Sequence, residues 1–161
     1  GLETFRGVRR RQEVRGVVNG VTVIDDFAHH PTAVRKTIAA IHAAYSGSRL
    51  VAAFEPRTNT SRRKFFQREY AGSFAGAELV FIKPPSDLSK VPEAERFSCF
   101  VLVEDLRARG IDARLFQDPD SLLNGLLKEL RPGDVTLIMS NGGFDNIHHR
   151  LLDGLRKEQH G

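Results

Sequence analysis

Cysteine occurs once, at Cys99, so no internal disulfide framework can form and no cysteine-based zinc site can be built. A lone thiol suits a reducing compartment. No apolar run approaches the roughly 20 residues that a membrane-spanning helix needs. Charge of one sign is not in large excess. Lys and Arg number 24 against 20 Asp and Glu, a net +4. That excess permits anionic small ligands and does not by itself argue for nucleic acid. Three motifs are missing as well. There is no Gly-x-x-x-x-Gly-Lys-Ser/Thr phosphate loop, no Gly-x-Gly-x-x-Gly after the first strand and no Gly-x-Ser-x-Gly elbow. A complete P-loop enzyme, a usual NAD domain and a serine hydrolase of that type are thereby excluded. Methionine also occurs once, at Met139, and the chain opens on Gly1. The expectation is a single domain, residues 1–161, excised from a larger protein.

What is present reads as one folded α/β domain. Hydrophobic residues are 40% and charged residues 27% of 161, a balance that can bury a core. The chain begins with a basic stretch: Arg6, Arg9, Arg10, Arg11 and Arg15. Two alternating runs, 13–18 and 21–24, flank Asn19-Gly20, the pair that a type I′ hairpin turn favours. From there helix and strand patterns alternate. Residues 31–45 carry Val34, Ile38, Ile41 and Tyr45 on one helical face, with Pro31 suited to the first turn. Residues 50–54, 79–82, 113–116 and 135–139 read as strands. Residues 61–74 (Phe66, Tyr70, Phe74), a segment ending at Gly110 (Leu102, Leu106), 121–130 and 146–155 read as helices. The fold class is therefore α/β, with a Rossmann-like, mostly parallel sheet, helices on both faces and an N-terminal β-hairpin.

Ligands bind at the carboxyl ends of the strands in such sheets. That rule selects three loops, residues 25–31, 55–61 and 140–145, all rich in polar, charged or glycine residues. The first is Asp25-Asp26-Phe27-Ala28-His29-His30-Pro31. Its carboxylates suit ribose hydroxyls, an ammonium group or hydrated Mg²⁺, and a histidine at a helix start suits a phosphate or a proton transfer. The plainer alternative is that Asp26 caps the turn and His30 the helix. The second loop contains Arg57, Asn59, Ser61 and Arg62. Arginine at a helix N-terminus opposes the macrodipole, which an anion would offset. Otherwise the stretch is a capped helix start with a solvated basic face. The third is Ser140-Asn141-Gly142-Gly143-Phe144-Asp145, whose glycines would let backbone approach a ligand closely. His148-His149 reads as surface rather than as a metal site.

The run Asp26-Phe27-Ala28-His29-His30-Pro31 resembles the Asp-x-Ala/Gly-His-x-Pro motif that opens the C-terminal domain of the Mur ligases. Folylpolyglutamate synthases share a similar element. The double Asp and double His resemble the muramate-linked branch. The alanine-adding members of that branch carry Tyr-Gly before the two histidines and Gln-Pro-His-Arg-Tyr after the next strand. Here Phe27-Ala28 and Phe54-Glu55-Pro56-Arg57-Thr58-Asn59-Thr60 stand instead, and Ser140-Asn141-Gly142-Gly143-Phe144 follows the last strand. These resemble the members that join UDP-N-acetylmuramate to the tripeptide L-alanyl-γ-D-glutamyl-meso-diaminopimelate.

The resemblance implies a cytoplasmic, ATP-dependent amide-forming ligase of peptidoglycan recycling, with N-terminal and central domains beyond this chain. The central domain would carry the phosphate loop and hold Mg²⁺. Asp26 and Asp25 would serve the nucleotide, Asp26 at the ribose. His29 would be the catalytic residue, near the phosphates or the incoming amine. Arg57, Asn59 and Arg62, with Asn141 and Gly142, would bind the peptide substrate. Neither nucleic acid nor membrane is implied as a partner. The alternatives are the alanine ligase, a non-catalytic nucleotide- or anion-binding module, and a nucleic-acid binder using the arginine run. That run lacks interleaved aromatics.

Overall fold

The computed structural model describes residues 11–56, 66–85, 88–89 and 91–160. The expected helix start at 61–65, the loop residues Arg57, Asn59 and Arg62, and Arg6, Arg9 and Arg10 lie outside the described residues.

Strands β1 (Glu13–Val18) and β2 (Val21–Asp26) form the hairpin. Asn19 and Gly20 both take positive φ, 53° and 76°, as the type I′ turn requires. The remaining strands are β3 (Leu50–Phe54), β4 (Leu79–Ile82), β5 (Asp112–Leu115) and β6 (Val135–Met139). They join β2 in one six-stranded sheet of order β1-β2-β6-β3-β4-β5, parallel except for the hairpin.

Helices cover both faces. On one side α1 (Pro31–Ala44), α2 (Gln67–Ala71) and α3 (Cys99–Ala108) bury Val34, Ile38, Tyr70, Leu102 and Leu106 against Ile24, Ala52, Phe54 and Leu137. On the other, α4 (Pro119–Glu129) and α5 (Ile147–His160) bury Leu122, Leu126, Leu151 and Leu155 against Val23, Val51, Phe81 and Ile138. Alternate residues of β2, β3 and β6 thus serve opposite cores, which is why these strands read as continuous apolar runs. Cys99 sits in the first core, where burial pushes its thiol up to about 12. It is an inert packing residue.

Helix boundaries follow their caps. The α4 helix starts at Pro119 because the Asp118 carboxylate accepts the Ser121 N–H at 2.8 Å. Ser98 caps α3 in the same way through the Val101 N–H. Packing demands a glycine inside α4. A Cβ on Gly125 would lie 2.8 Å from Cζ of Phe116 and 3.2 Å from Cε2 of Phe81. Those two rings pack with centroids 4.9 Å apart. Gly125→Ala should gain about 1 kcal/mol of helix propensity and lose about 1–3 to overpacking. The expected result is a lower urea midpoint. A raised midpoint would show that the Phe116 ring yields freely.

Candidate functional site

The connection from β2 leads to α1, and that from β3 to α2, on one face of the sheet, whereas β6 leads to α5 on the other. Because β6 lies between β2 and β3, the chain parts at its carboxyl end. This is the switch point at which open α/β sheets hold ligands. The three loops selected from sequence are the ones that leave β2, β3 and β6.

Asp25 and Asp26 are neighbours in sequence, but their side chains point to opposite faces of the sheet, as those of successive strand residues do. Asp26 is 3% exposed. Its Oδ1 accepts the Ala28 N–H at 2.7 Å and its Oδ2 accepts the Gln12 N–H at 2.8 Å. It therefore closes the β2–α1 turn and ties down the entry to β1. Burial raises its pKa, against the pull of those two bonds. Asp25 is fully buried, and Nη2 of Arg15 approaches its Oδ2 at 3.2 Å. The described part of the basic run is thus used locally: Arg15 on Asp25, and Arg11 at the edge of the cleft described next.

A cleft of about 620 Å³ opens beside the β2–α1 turn, a size suited to a small-molecule ligand. Its lining includes Asp26, His29, His30, Thr32, Lys36 and Thr37. The N-terminus of α1 opens into it, so N–H groups of the first turn and Lys36 favour an anion there. His29 Nδ1 lies 2.9 Å from the Phe27 carbonyl. A carbonyl only accepts, so Nδ1 carries the proton and Nε2 remains to accept one or, in the imidazolium, to donate. The hydroxyl of buried Tyr70 donates to the His29 carbonyl and pins this turn to α2. His30 occupies the N-cap position of α1 without a side-chain capping bond, and its ring packs edge-on against Phe66 at 4.7 Å. The capping role considered for His30 is not seen, whereas that for Asp26 is.

In the loop after β6 the positive-φ positions are not the glycines. Gly143 has an ordinary φ of −75°, and the left-handed turn is carried instead by Phe144, Asp145 and Asn146, at 48°, 52° and 56°. Buried Phe144 anchors it in the second core. Gly142 N–H donates to Ser140 Oγ at 3.1 Å, and the buried Oδ1 of Asn141 has no partner among the described residues. His148 and His149 tilt together at 4.5 Å, but among the described residues no group of three or more His, Cys, Asp or Glu converges on a metal position.

Sequence reasoning missed one cluster. The Lys83 ammonium donates to Glu55 Oε2 at 2.8 Å, with only 5% and 2% of the two side chains exposed. Ser140 Oγ lies 3.4 Å from Glu55 Oε1. A second cleft of about 520 Å³, with Asp118 and Asp145 on its rim, has this pair in its wall. The available signal was that each residue is the first polar one after a buried strand.

Strand order and switch point define a doubly wound α/β domain with clefts of small-molecule size at the carboxyl end of its sheet. The family model for the glutamate ligase domain of the Mur ligases matches residues 9–142, and the chain belongs to that family. It is 40% identical over 98% of its length to the UDP-N-acetylmuramate–L-alanyl-γ-D-glutamyl-meso-2,6-diaminoheptandioate ligase of Escherichia coli (strain K12), and covers 32% of it. A UDP-N-acetylmuramate–L-alanine ligase of Geobacter sulfurreducens is 37% identical over 89% of the chain, which covers 31% of it. Among solved structures, a murein peptide ligase from Psychrobacter arcticus superposes with a TM-score of 0.78 at 31% identity, over 92% of this chain and 30% of that one. The chain thus spans about a third of the length of the curated relatives it matches.

The raised pKa of Asp26 makes a prediction about folding. A carboxyl whose folded value lies above its usual 3.8 contributes most stability below that value and loses it as pH rises through the folded value. The stability of the parent relative to Asp26→Asn should therefore fall as pH is raised from about 3.8 towards neutrality. Urea titrations at stepped pH would check this. A difference that grew with pH would mean that the two backbone bonds outweigh burial.

Proposed function

We propose that this chain is the C-terminal domain of a cytoplasmic, ATP-dependent ligase that joins UDP-N-acetylmuramate to L-alanyl-γ-D-glutamyl-meso-diaminopimelate. The likeness to the tripeptide ligase of E. coli along nearly the whole chain carries this reading. The cleft at the β2–α1 turn supports it. In this reading ATP phosphorylates the muramoyl carboxylate, the peptide amine attacks the acyl phosphate, and phosphate leaves as the amide forms.

The roles follow from the chemistry each group can offer. Asp26 accepts a ribose hydroxyl with lone pairs that its two backbone bonds leave over. Asp25, on the far face, holds β1 through Arg15 and so steadies the same turn. His29 presents Nε2 towards the phosphates or the incoming amine, and α1 and Lys36 add positive potential. Arg57, Asn59 and Arg62 receive the peptide carboxylates, and Asn141 and Gly142 border that acceptor site. Mg²⁺ belongs in this reading to the nucleotide phosphates and the central domain. No membrane or nucleic acid takes part. Among the described residues no helix is long and apolar enough to cross a membrane.

Phosphate release by the full-length enzyme, with tripeptide and alanine compared as acceptors, tests the reading. The tripeptide should be preferred. A preference for alanine would move the assignment to the alanine ligases, to which the chain is also similar. The 161-residue chain alone should release no phosphate from ATP, because it carries no phosphate loop.

Two sets of variants test the roles. Asp26→Asn should raise KM for ATP by about five- to thirtyfold, since a charge-assisted bond is worth roughly 1–2 kcal/mol more than a neutral one. Arg57→Ala or Arg62→Ala should lower kcat/KM for tripeptide tens-fold or more, as loss of one partner of a desolvated charge pair costs about 2–5 kcal/mol. KM for ATP should barely move in those two, and Arg9→Ala should change neither constant. Equal, small effects for all three arginines would remove the substrate role from the loop.

A further inference from the structure

The register of the sheet places three polar residues side by side. Met139, Phe54 and Ile82 pair across β6, β3 and β4. The backbone ladder runs one residue further, with Glu55 N–H donating to Met139 O at 3.2 Å and Lys83 N–H to Phe54 O at 3.1 Å. The first residues beyond the strands are therefore Ser140, Glu55 and Lys83, and each is buried. Their side chains link into one chain of bonds: Lys83 to Glu55 at 2.8 Å, Ser140 to Glu55 at 3.4 Å, and Gly142 N–H to Ser140 at 3.1 Å. Lys83 also donates to the Pro84 carbonyl at 2.9 Å, which fixes its own loop.

A buried ion pair is a poor way to gain stability. Desolvation of both charges offsets most of their attraction, and apolar residues of similar volume often do as well or better. What the pair does supply is geometry. Glu55 is followed by Pro56, whose ring fixes φ, and then by Arg57. With its backbone paired to β6 and its carboxylate held by Lys83 and Ser140, Glu55 fixes the point at which the chain leaves β3. Ser140, on the same carboxylate, sets where Asn141 and Gly142 lie.

We infer that Glu55 and Lys83 form a positioning unit that fixes the Glu55-Pro56 end of β3 against Ser140 after β6, and so acts on how the acceptor is held through Asn141 and Gly142. This rests on the ligase reading given above. The unit acts on the acceptor and not on the nucleotide, whose cleft lies at the β2–α1 turn.

The test uses the full-length ligase with Glu55→Gln, Lys83→Met and the double variant Glu55→Leu/Lys83→Met. The acceptor is the one the parent enzyme turns over fastest, tripeptide or alanine. A wrong substrate assignment then shows in the parent, and a wrong positioning assignment only in the variants. The single variants should melt lower than the parent, each removing one charge of the buried pair and leaving the other in place. The double variant should recover the melting temperature of the parent to within a few degrees. In all three, kcat/KM for the acceptor should fall at least tenfold while KM for ATP stays within about twofold. Ser140→Ala, which removes the links to Glu55 and Gly142 but leaves the Lys83–Glu55 pair, should give a smaller fall in the same parameter. Recovery of acceptor kcat/KM along with stability in the double variant would overturn the inference. So would an equal rise in KM for ATP, or failure of the double variant to fold.

Discussion

Because β6 inserts between β2 and β3 while its helix packs on the opposite face from theirs, the chain must part at the carboxyl end of the sheet. Almost everything at the candidate site depends on that parting. It opens the space beside the β2–α1 turn, exposes the N-terminus of α1 and brings Glu55, at the end of β3, against Ser140, at the end of β6. The strands end in register there, so the first residue past each meets its neighbours laterally. An antiparallel sheet with hairpin connections would join those ends by short turns and leave no such row of loops.

The parts of this arrangement visible in the sequence are those set by local chemistry. Strands 50–54, 79–82 and 135–139 are bounded as expected, because both faces of each are buried and each ends at a polar or turn residue. The Asn19-Gly20 turn is local too. Boundaries shifted where a cap lay outside the periodic stretch. The Asp118 cap moves the start of α4 back to Pro119, and α5 runs on to His160 past the last leucine. At the site, the loops were legible and the partners were not. Asp25 next to Asp26 suggests a pair of carboxylates, yet strand alternation sends one to Arg15 and the other to the Ala28 amide. Glu55 and Lys83 are 28 residues apart, and only the adjacency of β3 and β4 makes them a pair. Adjacency of strands is a property of topology, which residue spacing does not encode.

Asp26 shows how a motif residue can be structural and still chemically available. Both oxygens accept backbone N–H groups, so its place is fixed before any ligand arrives. Burial works against its charge, and the amides and nearby Arg11 work for it. A cation or hydroxyl donor entering the cleft would add to the second side of that balance. Holding an acceptor in place beforehand lowers the ordering cost of binding. The same reasoning applies to His29, whose ring is oriented by the Phe27 carbonyl and whose backbone is held by Tyr70.

The turn after β6 is rigid for a different reason. Three successive non-glycine residues in the left-handed region each carry a cost on the order of 1 kcal/mol, least for Asp145 and Asn146, whose short polar side chains tolerate it. Burying the Phe144 side chain returns about 1.5–3 kcal/mol. The Asn146 N–H to Gly143 carbonyl bond, at 2.9 Å, closes the turn, and Arg150 holds Asp145 from α5. Relaxing the backbone would require withdrawing that ring from between β6 and α5, so the strain cannot be relieved locally. The loop is then fixed at both ends, by Phe144 on one side and by Ser140 against Glu55 on the other. Asn141 and Gly142 are held between two anchors, so the backbone they present to the site is set by burial and buried charge rather than by the flexibility that two adjacent glycines suggest.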